Sequence, residues 1–131
     1  MDAYQTHGAF SWNELMTSDP AAALAFYTSL LGWTAQTMAM PGGDYHVVKV
    51  GETSVGGVMS LPPEAKAGGM PPCWGSYVTV TDVDATTRKA VELGGKVVHG
   101  PQDIPGVGRM AVIVDPQGAA LNVITYAPPA S

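Results

Sequence analysis

Six residues have the types and spacing to act on a small molecule: Trp12, Glu14, His46, Tyr77, Arg109 and Asn122. Glu14 is one of few charges in a stretch, Phe10 to Thr17, that otherwise suits a half-buried strand. A carboxylate so placed is a candidate for acid-base work, because burial raises its pKa and a neighbouring His or Arg lowers it. A structural ion pair or hydrogen bond would explain it equally. Trp12, two residues earlier, shares its face by the strand period and can stack on a ligand. Arg109 can hold a carboxylate or phosphate through two hydrogen bonds, or simply pair with Asp103. His46 also reads as an ordinary strand histidine, and Trp12 and Trp74 as core. His7 and His99, near a terminus and a loop edge, read as solvated. Cys73, between Pro72 and Trp74, shows no base or positive field that would activate a thiolate.

The elements that must position these groups can be read from patterning. Phe10 to Thr17 is a strand ending at Ser18-Asp19-Pro20, where Ser18 or Asp19 caps a helix and Pro20 fits its first turn. Ala21 to Leu31 is the helix, with Leu24, Tyr27 and Leu31 on one stripe and Gly32 as its stop. Strands follow over Trp33 to Met40, Tyr45 to Val50 and Thr53 to Ser60, separated by Pro41-Gly42-Gly43-Asp44 and Gly51-Glu52. Residues 61–72 hold four prolines and two glycines without apolar period and read as a linker. Then come a strand over Trp74 to Thr81, a helix over Val83 to Leu93 capped by Asp82, and strands over Lys96 to His99, Arg109 to Val114 and Ala119 to Tyr126.

Composition excludes several classes. The chain has 131 residues, within the range of one domain. It is 46% hydrophobic and 13% charged, against a typical charged share of about 25%, so it has material for a core. A net charge of −5 disfavours nucleic acid, which selects cationic surfaces. No apolar run approaches the roughly 20 residues of a membrane span, and no secretory signal is visible, so the expected location is the cytoplasm. One cysteine excludes a disulfide framework within the chain. No phosphate-binding loop, dinucleotide fingerprint or nucleophile elbow is present.

The two halves match at nearly constant offset. Asp19 and Asp82 stand 63 residues apart, Leu31-Gly32 and Leu93-Gly94 stand 62, and Val50 and Val114 stand 64. This is an internal duplication. The expected fold is α+β, a single domain of two βαβββ modules, about 8–60 and 73–126. They would form a curved mixed sheet with helices outside and a concave cleft for a small ligand. A flush hairpin at Asp115 to Gly118 would pair Arg109 with Ile124, and a two-residue turn at Gly51-Glu52 would pair His46 with Gly57. Both would then face the cleft beside Trp12, Glu14, Tyr77 and Asn122. A slip of one residue would reverse these last two orientations.

Several stretches then resemble the glyoxalase/bleomycin-resistance/dioxygenase family, the vicinal oxygen chelate superfamily. They are Trp12-Asn13-Glu14-Leu15 before Ser18-Asp19-Pro20, Phe26-Tyr27 with Leu30-Leu31-Gly32-Trp33, and Asp82-Val83-Asp84-Ala85. Gly94-Gly95-Lys96-Val97 and Gly108-Arg109-Met110 leading to Asp115-Pro116-Gln117-Gly118 complete the set. The resemblance implies a homodimer and four metal-ligand positions, two per module. They fall here on Trp12, Gly75, Asn122 and the Gly56-Gly57-Val58 stretch. Three lack a ligand and one is an amide, a poor donor for a transition metal. The expectation is therefore no metal at the family's usual site and no cofactor. The resemblance implies binding of a small organic molecule with the reaction unspecified, and the residues make an isomerase-, lyase- or hydrolase-like enzyme with Glu14 as base one reading. The alternatives are a resistance protein that sequesters a drug or metabolite, and a metal-dependent lyase or dioxygenase.

Overall fold

A computed structural model describes residues 1–40 and 42–128. Pro41, in the expected Pro41–Asp44 turn, lies outside the described residues. The elements run β1 (Phe10–Thr17), α1 (Pro20–Leu31), β2 (Thr34–Met40), β3 (Gly43–Val50), β4 (Thr53–Ser60), α2 (Pro63–Ala67), β5 (Cys73–Thr79), α3 (Val83–Glu92), β6 (Lys96–Ile104), β7 (Gly108–Val114) and β8 (Ala120–Tyr126). The order is βαβββ twice, so the α+β class and the duplication stand. The segment read as a linker folds one short helix, α2. No helix among the described residues is long and apolar enough to cross a membrane.

Both long helices start as their sequences dictate. The Asp19 carboxylate accepts from the Ala22 amide at 3.1 Å, and Asp82 accepts from Ala85 at 3.1 Å. Each cap satisfies an amide that the helix leaves without a partner. At the far end of α1, Gly32 takes φ 74°, and its amide donates to Thr28 O.

Contacts divide the chain into two units: Asn13–Gly75, and Met1–Trp12 with Ser76 onward. In the first unit the strand order is β2-β3-β4-β1, with β1 and β4 parallel and the other pairs antiparallel. Leu15, Val48 and Val58 form its core under Ala23, Leu24 and Tyr27 of α1. Leu31, expected on the same stripe, is exposed. In the second unit the order is β5-β8-β7-β6, again with one parallel pair, β5 and β8. Val80, Val83, Ala111 and Val123 make its core.

The N-terminal segment belongs with the second unit because it bonds to β5 and its continuation. Gly8 N donates to Thr79 O at 2.8 Å, and Thr79 N returns a bond to Ala9 O at 2.8 Å. The Thr79 hydroxyl donates to Ala3 O at 2.7 Å. His7 is not merely solvated: its Nδ1 accepts from Thr81 N at 2.9 Å. His99 likewise has a side-chain partner, Gln102.

The duplication extends to register. In the parallel pair of one unit Glu14 lies opposite Gly57, and in the parallel pair of the other Tyr77 lies opposite Asn122. These are the same places in the two modules.

Candidate functional site

In the Asn13–Gly75 unit the site centres on Glu14, only 7% exposed at the middle of β1. Across β4, on the same face, β3 supplies Tyr45. The phenol donates to Glu14 Oε2 at 2.7 Å. It reaches across because Gly57, which pairs with both Glu14 and Val47, has no side chain. A Cβ on Gly57 would overlap the Tyr45 hydroxyl and ring carbons. The backbone of β4 is therefore bare where the ring lies, and the phenol occupies the space above it. A buried carboxylate with a hydroxyl donor can hold or move a proton on a small molecule.

In the other unit the corresponding face is apolar and aromatic. Tyr77, Met110 and Ile124 are buried together, with Trp12, Val112 and Tyr126 packed against them. The Asn122 amide nitrogen donates to Ser76 O at 3.2 Å. Burial raises the Tyr126 pKa, although the Ser11 hydroxyl 2.7 Å away opposes the shift. Trp12, Tyr77 and Asn122 thus come together on one face of this unit.

His46 and Arg109 do not join these faces. The Gly51-Glu52 turn pairs Val50 with Thr53 as expected, but a bulge between Val48 and Lys49 shifts the ladder. His46 then pairs with Val58 rather than Gly57, and Tyr45 takes the face assigned to it. His46 Nδ1 instead meets the Thr37 hydroxyl at 2.9 Å. The bulge inserts one residue on one strand, which reverses every side chain beyond it.

For Arg109 the cause is the β7–β8 loop. Val114 pairs with Ala120, so the loop holds one residue more than a flush hairpin. The Asp115 carboxylate steadies it by accepting from Gln117 N and Ala119 N, each at 3.0 Å. Arg109 consequently pairs with Thr125 rather than Ile124 and lies on the α3 side. Its guanidinium holds Asp84 through two bonds, Nε at 2.8 Å and Nη2 at 3.0 Å. Nη1 reaches Asp103 at 3.0 Å, the plainer pairing already legible in the sequence. The bond from Arg109 lowers the Asp84 pKa, and the two aspartates raise that of Arg109. This is a structural ion cluster under the start of α3.

The residues at the four positions that the resemblance implies for metal ligands do not fit a transition metal. Position 12 is an indole, 75 a glycine, 122 an amide, and the space at Gly57 is filled by Tyr45. Among the described residues, no three His, Cys, Asp or Glu side chains gather where they could hold an ion.

A parallel strand pair in each of two βαβββ modules, with polar groups at matching register, defines a glyoxalase-type fold. The family model described as Glyoxalase/Bleomycin resistance protein/Dioxygenase superfamily matches residues 9–123, and the chain belongs to that superfamily. Among named proteins it is 46% identical over 122 residues to CFP32 of Mycobacterium tuberculosis, named as a putative glyoxylase. That match takes in 92% of this chain and 45% of the relative. It is 39% identical over 127 residues to the anthracycline biosynthesis protein DnrV of Streptomyces peucetius, covering 88% of this chain and 46% of DnrV. The chain thus spans about half the length of these curated relatives. Its fold is shared by methylmalonyl-CoA epimerase from Mycobacterium tuberculosis, with a TM-score of 0.67 at 18% identity over 92% of this chain and 89% of the other. The Streptomyces coelicolor epimerase bound to 2-nitronate-propionyl-CoA gives 0.68 at 17% identity, over 96% and 99%.

Proposed function

We propose that the protein binds a small organic molecule with an aromatic or apolar part and acts on it by proton transfer at Glu14, without a metal at the family's usual site. The observation that carries this reading is the Glu14 carboxylate, 7% exposed in the middle of a strand and held by a phenol over a bare stretch of backbone. Within its own unit, the face of Trp12, Tyr77 and Asn122 is an aromatic and amide surface of the kind that holds an aromatic or apolar group. Arg109 and His46 take no part, because their side chains are engaged on the other faces of their strands. A proton removed beside a carbonyl is the simplest chemistry for a buried carboxylate, and it agrees with the epimerase fold relatives.

The test uses a panel of aromatic ketones and acyl thioesters in deuterated water, with exchange at carbon followed by NMR and binding by tryptophan fluorescence. Wild-type protein exchanges at least one of them, and Glu14→Gln binds it without exchange. Exchange that survives Glu14→Gln removes Glu14 from the chemistry. Tight binding with no exchange across the panel favours the second reading, sequestration without turnover. The apolar Trp12–Tyr77–Met110–Ile124 face supports that reading. Stoichiometric zinc, nickel or iron in the purified protein would overturn the metal-free reading.

We also propose a homodimer. Helix α1 is apolar nearly all round, and it leaves Phe26 59% and Leu30 61% exposed. A helix of that composition calls for cover on its outer side. Phe26→Glu should convert a dimer to a monomer in sedimentation; a wild-type monomer would refute this.

A further inference from the structure

We infer that Tyr45 is the positioning residue for Glu14, and that the bare backbone at Gly57 exists to seat its phenol. The inference builds on the reading of Glu14 as a base, but its test needs no substrate. Three observations carry it. The phenol lies 2.7 Å from Glu14 Oε2 in a partly buried setting. It arrives from β3, two strands away from β1 with β4 between, so the contact is not a consequence of neighbouring strands. It also needs position 57 to be glycine, since a Cβ there would overlap the hydroxyl and the ring. The bulge between Val48 and Lys49 completes the arrangement, because without it His46 and not Tyr45 would face Glu14.

A phenol hydroxyl donates until about pH 10, so over the physiological range it is a fixed donor to the carboxylate. A hydrogen bond to the charged form favours that form and opposes the effect of burial. Tyr45 therefore fixes which carboxylate oxygen is tied, and the bond it donates favours the charged form, the state in which a carboxylate can accept a proton. The module duplicate shows what the place looks like without this device. There Met110 stands on the strand and face that correspond to Tyr45, and the parallel pair carries Tyr77 and Asn122 instead of a carboxylate and a glycine.

The chain has four glutamates, Glu14, Glu52, Glu64 and Glu92, so each side-chain carboxyl can be followed by carbon-13 NMR, with Glu14→Gln giving the assignment. Tyr45→Phe keeps the ring and removes the hydroxyl. It should move the Glu14 midpoint upward by about one to two pH units, with the other three glutamates unchanged as internal controls. Gly57→Ala should give an upward shift of the same order although both partners remain, because the added methyl expels the phenol. In the deuterium-exchange assay the acid limb of the Tyr45→Phe profile should move up with the NMR midpoint, a coupling that a packing role would not produce. A Glu14 midpoint unchanged in Tyr45→Phe overturns the inference. If Gly57→Ala does not fold, Tyr45→Phe decides alone. A shifted midpoint with exchange indifferent to Glu14→Gln keeps the positioning contact and removes only the catalytic reading.

Discussion

Gly56 and Gly57 are adjacent in β4, yet one added methyl should fail for different reasons at each. At Gly56 the new Cβ would stand 2.8 Å from the Asn13 carbonyl oxygen. That obstacle is the backbone of a paired strand, so relief requires β1 and β4 to shift together. Overpacking of this kind costs about 1–3 kcal/mol. With an unfolding entropy of about 2.1 cal/mol/K per residue over 131 residues, each kcal/mol lowers Tm by about 4 °C, so Gly56→Ala should lose roughly 4–11 °C. At Gly57 the obstacle is a side chain, the Tyr45 phenol, which can leave. Its departure loses a hydrogen bond to a charged acceptor, about 1.5–3 kcal/mol, offset by about 0.5–1 kcal/mol from replacing a strand glycine. The net cost of about 0.5–2.5 kcal/mol overlaps the range for Gly56→Ala, so the single variants do not separate the two causes. A second background does. In Tyr45→Ala, Gly57→Ala should become neutral or mildly stabilising, a coupling of about 1–3 kcal/mol, while Gly56→Ala keeps its full cost within about 0.5 kcal/mol. Urea denaturation of the six proteins, comparing midpoints at constant m-value, measures both couplings. A Gly57→Ala penalty equal in the two backgrounds would refute the placement of the phenol over Gly57.

Two other features should respond in defined ways. Arg109→Leu should return the Asp84 carboxyl toward its ordinary pKa, read by NMR. A depressed carboxylate pKa adds stability above the unfolded value and loses it as pH falls through the folded one, so the wild-type protein should lose this contribution below about pH 4 and the variant should have none there to lose. Asp82→Ala should cost about 0.5–2 kcal/mol in chemical denaturation by leaving the Ala85 amide without its cap, and Asp82→Asn should restore most of it.

The sequence carried the repeat well because its punctuation has local causes. Asp19 and Asp82 cap, and Gly32 stops a helix, through bonds that span three or four residues. The order of elements along the chain and the family resemblance followed from that punctuation. Orientation within a strand did not, since it depends on counting residues through turns. The Gly51-Glu52 turn has a clear sequence mark, but the bulge two residues on has none as strong. The Asp115 loop is one residue longer than its Asp-Pro-Gln-Gly pattern suggests, because its length is set by two bonds to the Asp115 carboxylate. Both are single-residue slips, and each sends one charged or polar side chain to the face opposite the expected one: His46 in one module, Arg109 in the other.

The same slip in the first module hid Tyr45, whose trace in the sequence is the Gly56-Gly57 pair. Glycine in a strand interior weakens it, and the usual compensation is the close approach of something else. Here there are two approaches, one on each side of the strand: the β1 backbone at Gly56 and the phenol at Gly57. The strand period makes this division obligatory, because neighbouring residues face opposite ways. A duplicated fold leaves each module free to fill its parallel strand pair differently, provided the register is kept. One has filled it with an amide, a tyrosine and apolar neighbours, the other with a carboxylate whose donor comes from two strands away. Only the module that gave up side chains in β4 lets a ring cross that strand, and there the ring reaches Glu14.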